Sequence, residues 1–290
     1  LCGSSLSALQ MATDSIKAGN NSQLLVGGVE HLGHVPMIAA LDYNPRLFDG
    51  YDLQWTNMGL TAEKISDEFQ IDRKAQDAFT VKSNKRYFAA KENGFFTNEI
   101  IPVIVSDDQT VTDDQEPRLS TLEKLSELRT VFKEDGTITA ANSSGISDGS
   151  CMAWVGNKST IESFDIDPLV EIQSTVNIGL NPESMGLGPV YAIRKLLDKT
   201  SLSMEEIDLF EINEAFAVQV LACQRELNIP DDKLNIHGGA VAMGHPLGMS
   251  GLRIAVTLAH SMKENNSQYG IVSLCVGHGQ GVAMLLKRNS

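Results

Sequence analysis

Four short blocks carry side chains suited to covalent chemistry: Cys2 in Cys2-Gly3-Ser4-Ser5, Asn213 in Asn213-Glu214-Ala215-Phe216-Ala217, His245 in Gly244-His245-Pro246, and Cys275 in Cys275-Val276-Gly277. Two thiols, one imidazole and one amide are the parts needed for acyl transfer through a thioester. Cys2 opens a helical pattern. Unpaired N–H groups and the positive dipole end at a helix start predict a lowered thiol pKa there. The small residues after it leave room for a ligand, although a lone Cys is as readily a buried residue with no role. His245 sits in a small-residue loop, 238–248, and Pro246 suits the first turn of a helix. Its imidazole can take a proton from a thiol or donate to an oxyanion, or be structural. Cys275 ends an apolar strand, where α/β enzymes place reactive groups, and Gly277 and Gly279 leave backbone N–H groups free to face a ligand; a core thiol is the plainer reading. Asn213 reads equally as a helix N-cap and as an amide that positions a water for an oxyanion hole.

The elements that must position these groups alternate. Residues 1–19 read as a helix, with Leu6, Leu9 and Ile16 at helical spacing and Gly19-Asn20 as the stop. A buried strand follows at 23–29, and this order points to α/β architecture. Residues 36–140 carry most of the charge runs, with helices expected near 61–69 and 72–93 and a solvated polar loop at 106–116. They read as an insertion over a more apolar core. Strands are then expected at 152–155, 169–172 and 207–212, helices at 189–198, 214–227 and 247–263, and a final hairpin of 269–275 and 281–287. A faint internal repeat links Cys2-Gly3-Ser4-Ser5 with Gly248-Met249-Ser250-Gly251: each opens a helix that leads to a buried strand.

The chain has 290 residues, 42% hydrophobic and 21% charged, as in a globular enzyme. Its net charge of −14 argues against nucleic acid as a partner. Cysteines at 2, 151, 223 and 275 show no paired spacing, which reads as reduced and intracellular. Cys151 and Cys223 sit in apolar patterns and read as core. No apolar run reaches the length of a membrane span. His31 and His34 lack a third metal ligand nearby and read as a loop, so no metal is expected. His237 reads as structural. Neither a P-loop nor a dinucleotide fingerprint is present.

Seven blocks in order, "CGSSLSALQMA" with "LLVGGVEHLGHVPM", "SSGISDGS", "MGLGPV", "INEAFA", "GGAVAMGHPLGMSG" and "CVGHGQGVAM", resemble the thiolase family over nearly the whole chain. Within it, "GGVEHLGHVPM" and "NMGLTAEKIS" look most like the bacterial 3-ketoacyl-CoA thiolase that is the beta subunit of the fatty-acid oxidation complex. The resemblance implies an α/β thiolase fold: two βαβαβαββ halves in five layers (αβαβα) with an inserted loop domain. It assigns 1–35 and 141–163 to a partial N-terminal half, 36–140 to the loop domain and 164–290 to the C-terminal half. Thiolases carry further strands and helices ahead of their nucleophile, so the resemblance implies an N-terminally truncated chain with an incomplete first half. With Leu1 first, targeting is not legible.

Carried over residue by residue, Cys2 is the expected nucleophile, His245 its base and Cys275 the second acid/base. Asn213 holds a water, and the Cys2 and Gly277 N–H groups form an oxyanion hole. Ser144, Met185, Phe216, Met58 and Phe132 are expected beside the pantetheine of CoA, and Arg118 near its phosphates. His278 stands where an uncharged residue is expected. The implied activity is acetyl-CoA C-acyltransferase, the thiolytic cleavage of 3-ketoacyl-CoA in fatty-acid β-oxidation. CoA is a co-substrate, and no cofactor is bound permanently. The alternatives are a biosynthetic acetoacetyl-CoA thiolase and an inactive structural partner. The implied assembly is a homodimer or dimer of dimers, possible also as a hetero-complex with a hydratase/dehydrogenase subunit, in the bacterial cytoplasm.

Overall fold

Helix α1, Ser4–Lys17, leads through Gly19 into strand β1, Gln23–His31. The computed structural model describes residues 1–37, 39, 42–47 and 50–288. Helices α2 (Met58–Phe69) and α3 (Arg73–Glu92), hairpin strands β2 (Val103–Ser106) and β3 (Gln109–Val111), and the short α4 (Leu122–Ser126) follow β1. The chain then returns as β4, Asp148–Gly156, which pairs antiparallel with β1 from Gln23 opposite Gly156 to His31 opposite Asp148. Asn57 starts α2 three residues earlier than hydrophobic spacing shows, because its side chain accepts from the Gly59 and Leu60 N–H groups. The expected loop at 106–116 contains β3 instead: backbone pairing with β2, whose Val103, Ile104 and Val105 are β-branched, overrides its polar composition.

Next come α5 (Lys158–Ser163), β5 (Glu171–Gly179), α6 (Gly188–Thr200), β6 (Leu209–Ile212), α7 (Ala217–Leu227), α8 (Ala240–Met243), α9 (Leu247–Glu264), β7 (Tyr269–Val276) and β8 (Gln280–Lys287). Their sheet runs β5-β8-β7-β6, with β6 and β7 parallel and the other pairs antiparallel. Side-chain alternation gives the sheet two buried faces. Ile271, Cys275, Ala283 and Leu285 face a core shared with α6 and α7. Val272, Leu274, Val276, Val282 and Met284 face a second core shared with α1, α9 and Val26 of β1. The layers therefore run α6/α7, four-stranded sheet, α1/α9, two-stranded sheet.

The crossing of α1 and α9 positions the chemistry. The Leu252 N–H donates to Ser5 Oγ at 2.9 Å. A Cβ on Gly251 would stand 2.7 Å from the Leu6 nitrogen, and one on Gly28 would stand 2.6 Å from Ser5 Cβ. Small residues let the two helix starts meet, which gives the faint repeat a structural meaning. Gly251→Ala is expected to cost roughly 1–3 kcal/mol of stability through overpacking, read as a lowered Tm in a thermal melt. An unchanged Tm would contradict so close a crossing.

Candidate active site

Cys2 lies two residues before α1. Gly3 rests against the end of β7, where a Cβ would meet Val276 Cγ2 at 3.0 Å. This contact sets Cys2 beside the turn after Cys275, where the Gly277 N–H lies near enough to the Cys2 sulfur to pull its pKa down. The turn needs a left-handed residue at Gly279 (φ 84°), where any side chain would also meet the Leu180 carbonyl. His278 sits in the same turn with φ 66° and meets the Tyr43 ring edge-on at 5.2 Å.

The helix-start argument for a lowered Cys2 pKa is overturned. Desolvation raises the thiol, outweighing the Gly277 N–H, which pulls it down. Cys275, 1% exposed on β7, is raised well above an ordinary thiol by burial and then by its neighbour Cys2. Both thiols are therefore protonated at rest. His245, 5% exposed, is pushed down to about 3 by burial and then by Arg253, so its imidazole is neutral.

The backbone of Asn213 extends the β6–β7 pairing by one residue, its N–H donating to the Ser273 carbonyl at 3.0 Å. The following helix begins at Ala217, not at 214, and its N-cap is Phe216. The N-cap reading of Asn213 thus fails. Its Nδ2 lies 3.3 Å from His245 Nε2 instead, and its buried Oδ1 has no hydrogen-bond partner among the described residues.

Two side chains that motif reading did not single out hold the loop of His245. Glu214 Oε2 accepts from the Val241 N–H at 3.1 Å and from Ser83 Oγ at 2.7 Å, while Ser83 Oγ accepts from the Gly239 N–H at 3.1 Å. Asn235 Nδ2 donates to Glu214 Oε1 at 3.0 Å. Ser250, on the first turn of α9, places its Oγ 2.7 Å from His245 Nδ1. The one sequence signal for Ser250 is a small polar residue one helical turn past Pro246.

Five of the six residues expected at CoA come together. Ser144 donates its N–H to the Ala215 carbonyl at 3.0 Å, beside Phe216. Phe216 meets the Phe132 ring edge-on at 6.2 Å. The Phe132 ring lies over Gly59, next to Met58, and the Met58 Sδ would stand 3.4 Å from a Cβ on Gly277. Met185 is buried in the same core. Arg118 donates its N–H to Asn84 Oδ1 of α3 at 3.1 Å, and its side chain is exposed.

Elsewhere, His31 Nδ1 pairs with Asp148 Oδ2 at 2.7 Å, and His31 and His34 stack with ring centroids 5.4 Å apart. No group of three or more His, Cys, Asp or Glu suited to a metal ion occurs among the described residues. Cys223 is buried and Cys151 half-buried. His237 stacks on Phe95. No helix among the described residues is long and apolar enough to cross a membrane.

Two protonated thiols and a neutral buried imidazole are the groups that acyl transfer through a thioester uses. Comparison with known proteins agrees. Residues 1–159 match the family model of the thiolase N-terminal domain, and 166–288 that of the thiolase C-terminal domain. A 3-ketoacyl-CoA thiolase of Citrobacter koseri is 42% identical over 99% of this chain and 76% of its own length. A probable acetyl-CoA acyltransferase of Staphylococcus aureus is 38% identical over 99% of this chain and 78% of its own. Human mitochondrial 3-ketoacyl-CoA thiolase in complex with CoA superposes with a TM-score of 0.91 at 34% identity, over all of this chain and 77% of that one. An acetyl-CoA acetyltransferase from Syntrophomonas wolfei gives 0.90 at 33%, over all of this chain and 78% of that one. The chain belongs to the thiolase family and has its fold. Its activity is of the acetyl-CoA acyltransferase class.

Proposed function

We propose that the chain is a 3-ketoacyl-CoA thiolase of fatty-acid β-oxidation, with Cys2 as nucleophile. The observation that carries this is the packing of Gly3 on Val276, which sets Cys2 beside the 277–279 turn, together with Asn213 Nδ2 3.3 Å from the buried His245 Nε2. As Cys2 attacks the 3-keto carbon, its proton passes to His245 Nε2. The tetrahedral oxyanion is held by the Cys2 and Gly277 N–H groups. Carbon–carbon cleavage leaves an acyl group on Cys2 and the enolate of acetyl-CoA. A water accepted by Asn213 Oδ1 and the His245 imidazolium stabilise that enolate, and the Cys275 thiol protonates its carbon. The Cys275 thiolate takes the proton of an incoming CoA thiol. That sulfur attacks the acyl group, and Cys2 leaves and recovers its proton from His245.

CoA is read as a co-substrate, its pantetheine along Ser144, Met185, Phe216, Met58 and Phe132 and its phosphates toward Arg118. The reading takes 36–140 as the domain that covers CoA, between a first half at 1–35 and 141–163 and a second at 164–290. Bacterial relatives support a bacterial cytoplasmic enzyme, and with it we place a homodimer that docks a hydratase/dehydrogenase subunit.

Asn213→Ala is expected to lower kcat roughly 10²–10³-fold, as loss of one oxyanion-stabilising group does, with KM little changed; kcat within threefold of wild type would remove Asn213 from the reaction. Cleavage of a long-chain 3-ketoacyl-CoA is expected to exceed that of acetoacetyl-CoA in kcat/KM. Equal or faster acetoacetyl-CoA cleavage would move the chain to the biosynthetic thiolases.

A further inference from the structure

We propose that Ser250 is a positioning residue that fixes His245 as the Nδ1–H tautomer, leaving the Nε2 lone pair to take the Cys2 proton. The inference deepens the proposed reaction and rests on it only for the identity of the proton donor.

Proton counting leads to it. Ser250 Oγ lies 2.7 Å from His245 Nδ1 and 2.8 Å from the Pro246 carbonyl oxygen. Contacts this short each need a proton between the heavy atoms. The serine hydroxyl brings one proton and the carbonyl none. The hydroxyl proton therefore serves Pro246, and the proton on the other contact comes from Nδ1 itself. A neutral imidazole carries a single ring proton, so Nε2 is bare. The Asn213 Nδ2 donor 3.3 Å from Nε2 fits an acceptor there.

Back-bonding to a carbonyl four residues earlier is ordinary for hydroxyls in helices. Thr13 to Leu9 and Ser261 to Thr257 do the same, both at 2.8 Å. Ser250 differs in holding an imidazole as well. It is 0% exposed and His245 is 5% exposed, so no bulk water competes for Nδ1. Without the hydroxyl, the Nδ1 proton would be a buried donor with no acceptor, and moving it to Nε2 would relieve that cost. Nε2 could then no longer take the thiol proton.

The tautomer is read by two-bond 1H–15N correlation of the ring on the full chain, with histidine 15N-labelled. In the wild type, His245 is expected to show Nδ1–H and a bare Nε2, unchanged between pH 5 and 9; an Nε2–H signal overturns the proposal. Ser250→Ala is expected to move the proton to Nε2 and lower kcat roughly 10²–10⁴-fold, the share a positioned base supplies, with KM for the acyl-CoA within about threefold. Ser250→Thr keeps the hydroxyl and is expected to keep the Nδ1–H tautomer and most of the activity. Wild-type kcat in Ser250→Ala, or a Thr variant as impaired as the Ala variant, counts against the role. The wild-type spectrum needs neither turnover nor a folded variant. If the thiolytic reading fails, the assay shows no cleavage by the wild type while the spectrum still decides the tautomer.

Discussion

Cys2→Ala is expected to abolish thiolysis, with kcat falling roughly 10⁴-fold or more, as when a covalent nucleophile is removed. The loss follows from position. Cys2 is the thiol set beside the Gly277 turn by the contact of Gly3 with Val276, so the charge that develops on the attacked carbonyl oxygen meets backbone donors when the new bond forms there. Cys223 cannot replace it: the side chain is 0% exposed, and burial pushes its thiol up to about 12. Cys151 is half-buried on β4 with its thiol pushed up to about 11. Cys275 has a thiol raised well above the ordinary range by burial and then by its neighbour Cys2. Steady-state assay with a saturating 3-ketoacyl-CoA reads the effect, and retention of more than a hundredth of wild-type kcat would place the nucleophile elsewhere.

His245→Ala is expected to lower the rate of Cys2 acylation roughly 10²–10⁴-fold near neutral pH, the usual share of a general base. The pH profile carries the sharper test. The Cys2 thiol is raised and His245 is lowered to about 3, so the resting pair is thiol and neutral imidazole, not an ion pair. A histidine with so low a pKa is already an unprotonated base at every pH above about 5, so the wild-type rate should show no step near 6.5. In the variant, solvent hydroxide must remove the proton. The deficit should therefore narrow as pH rises toward the pKa of Cys2. Acylation measured by stopped flow across this range reads both effects, and a wild-type step near pH 6.5 would contradict the buried, neutral imidazole.

Much of this site is visible in the sequence because its parts are small residues around single reactive groups. Gly244, Pro246 and Gly248 flag His245, and Gly277 with Gly279 flags the strand end at Cys275. Helices α3 and α9 are legible from local spacing and breakers. Strand β5 is legible only at its start: a strand is expected at 169–172, and polar Gln173, Ser174, Thr175 and Asn177 hide the rest, which the backbone ladder with β8 carries to Gly179. The ionisation of Cys2 is also misjudged from local sequence. A helix start favours the thiolate, but desolvation depends on β7 and β8 packing over Gly3, which no local window contains. Glu214 and Ser250 are hidden for the same reason. Their partners lie at Ser83, Asn235 and Val241 in one case and His245 in the other, and only folding brings α3, the 235–245 loop and α9 together.

The most direct test is the site of the acyl group. The full chain is mixed with a 3-ketoacyl-CoA in the absence of free CoA, quenched in acid, digested with trypsin and analysed by mass spectrometry. The added acyl mass is expected on the tryptic peptide that carries Cys2 and ends at Lys17, and is expected to vanish on addition of CoA. An adduct on the peptide of Cys275, Cys151 or Cys223, or no adduct under conditions of turnover, contradicts Cys2 as the nucleophile.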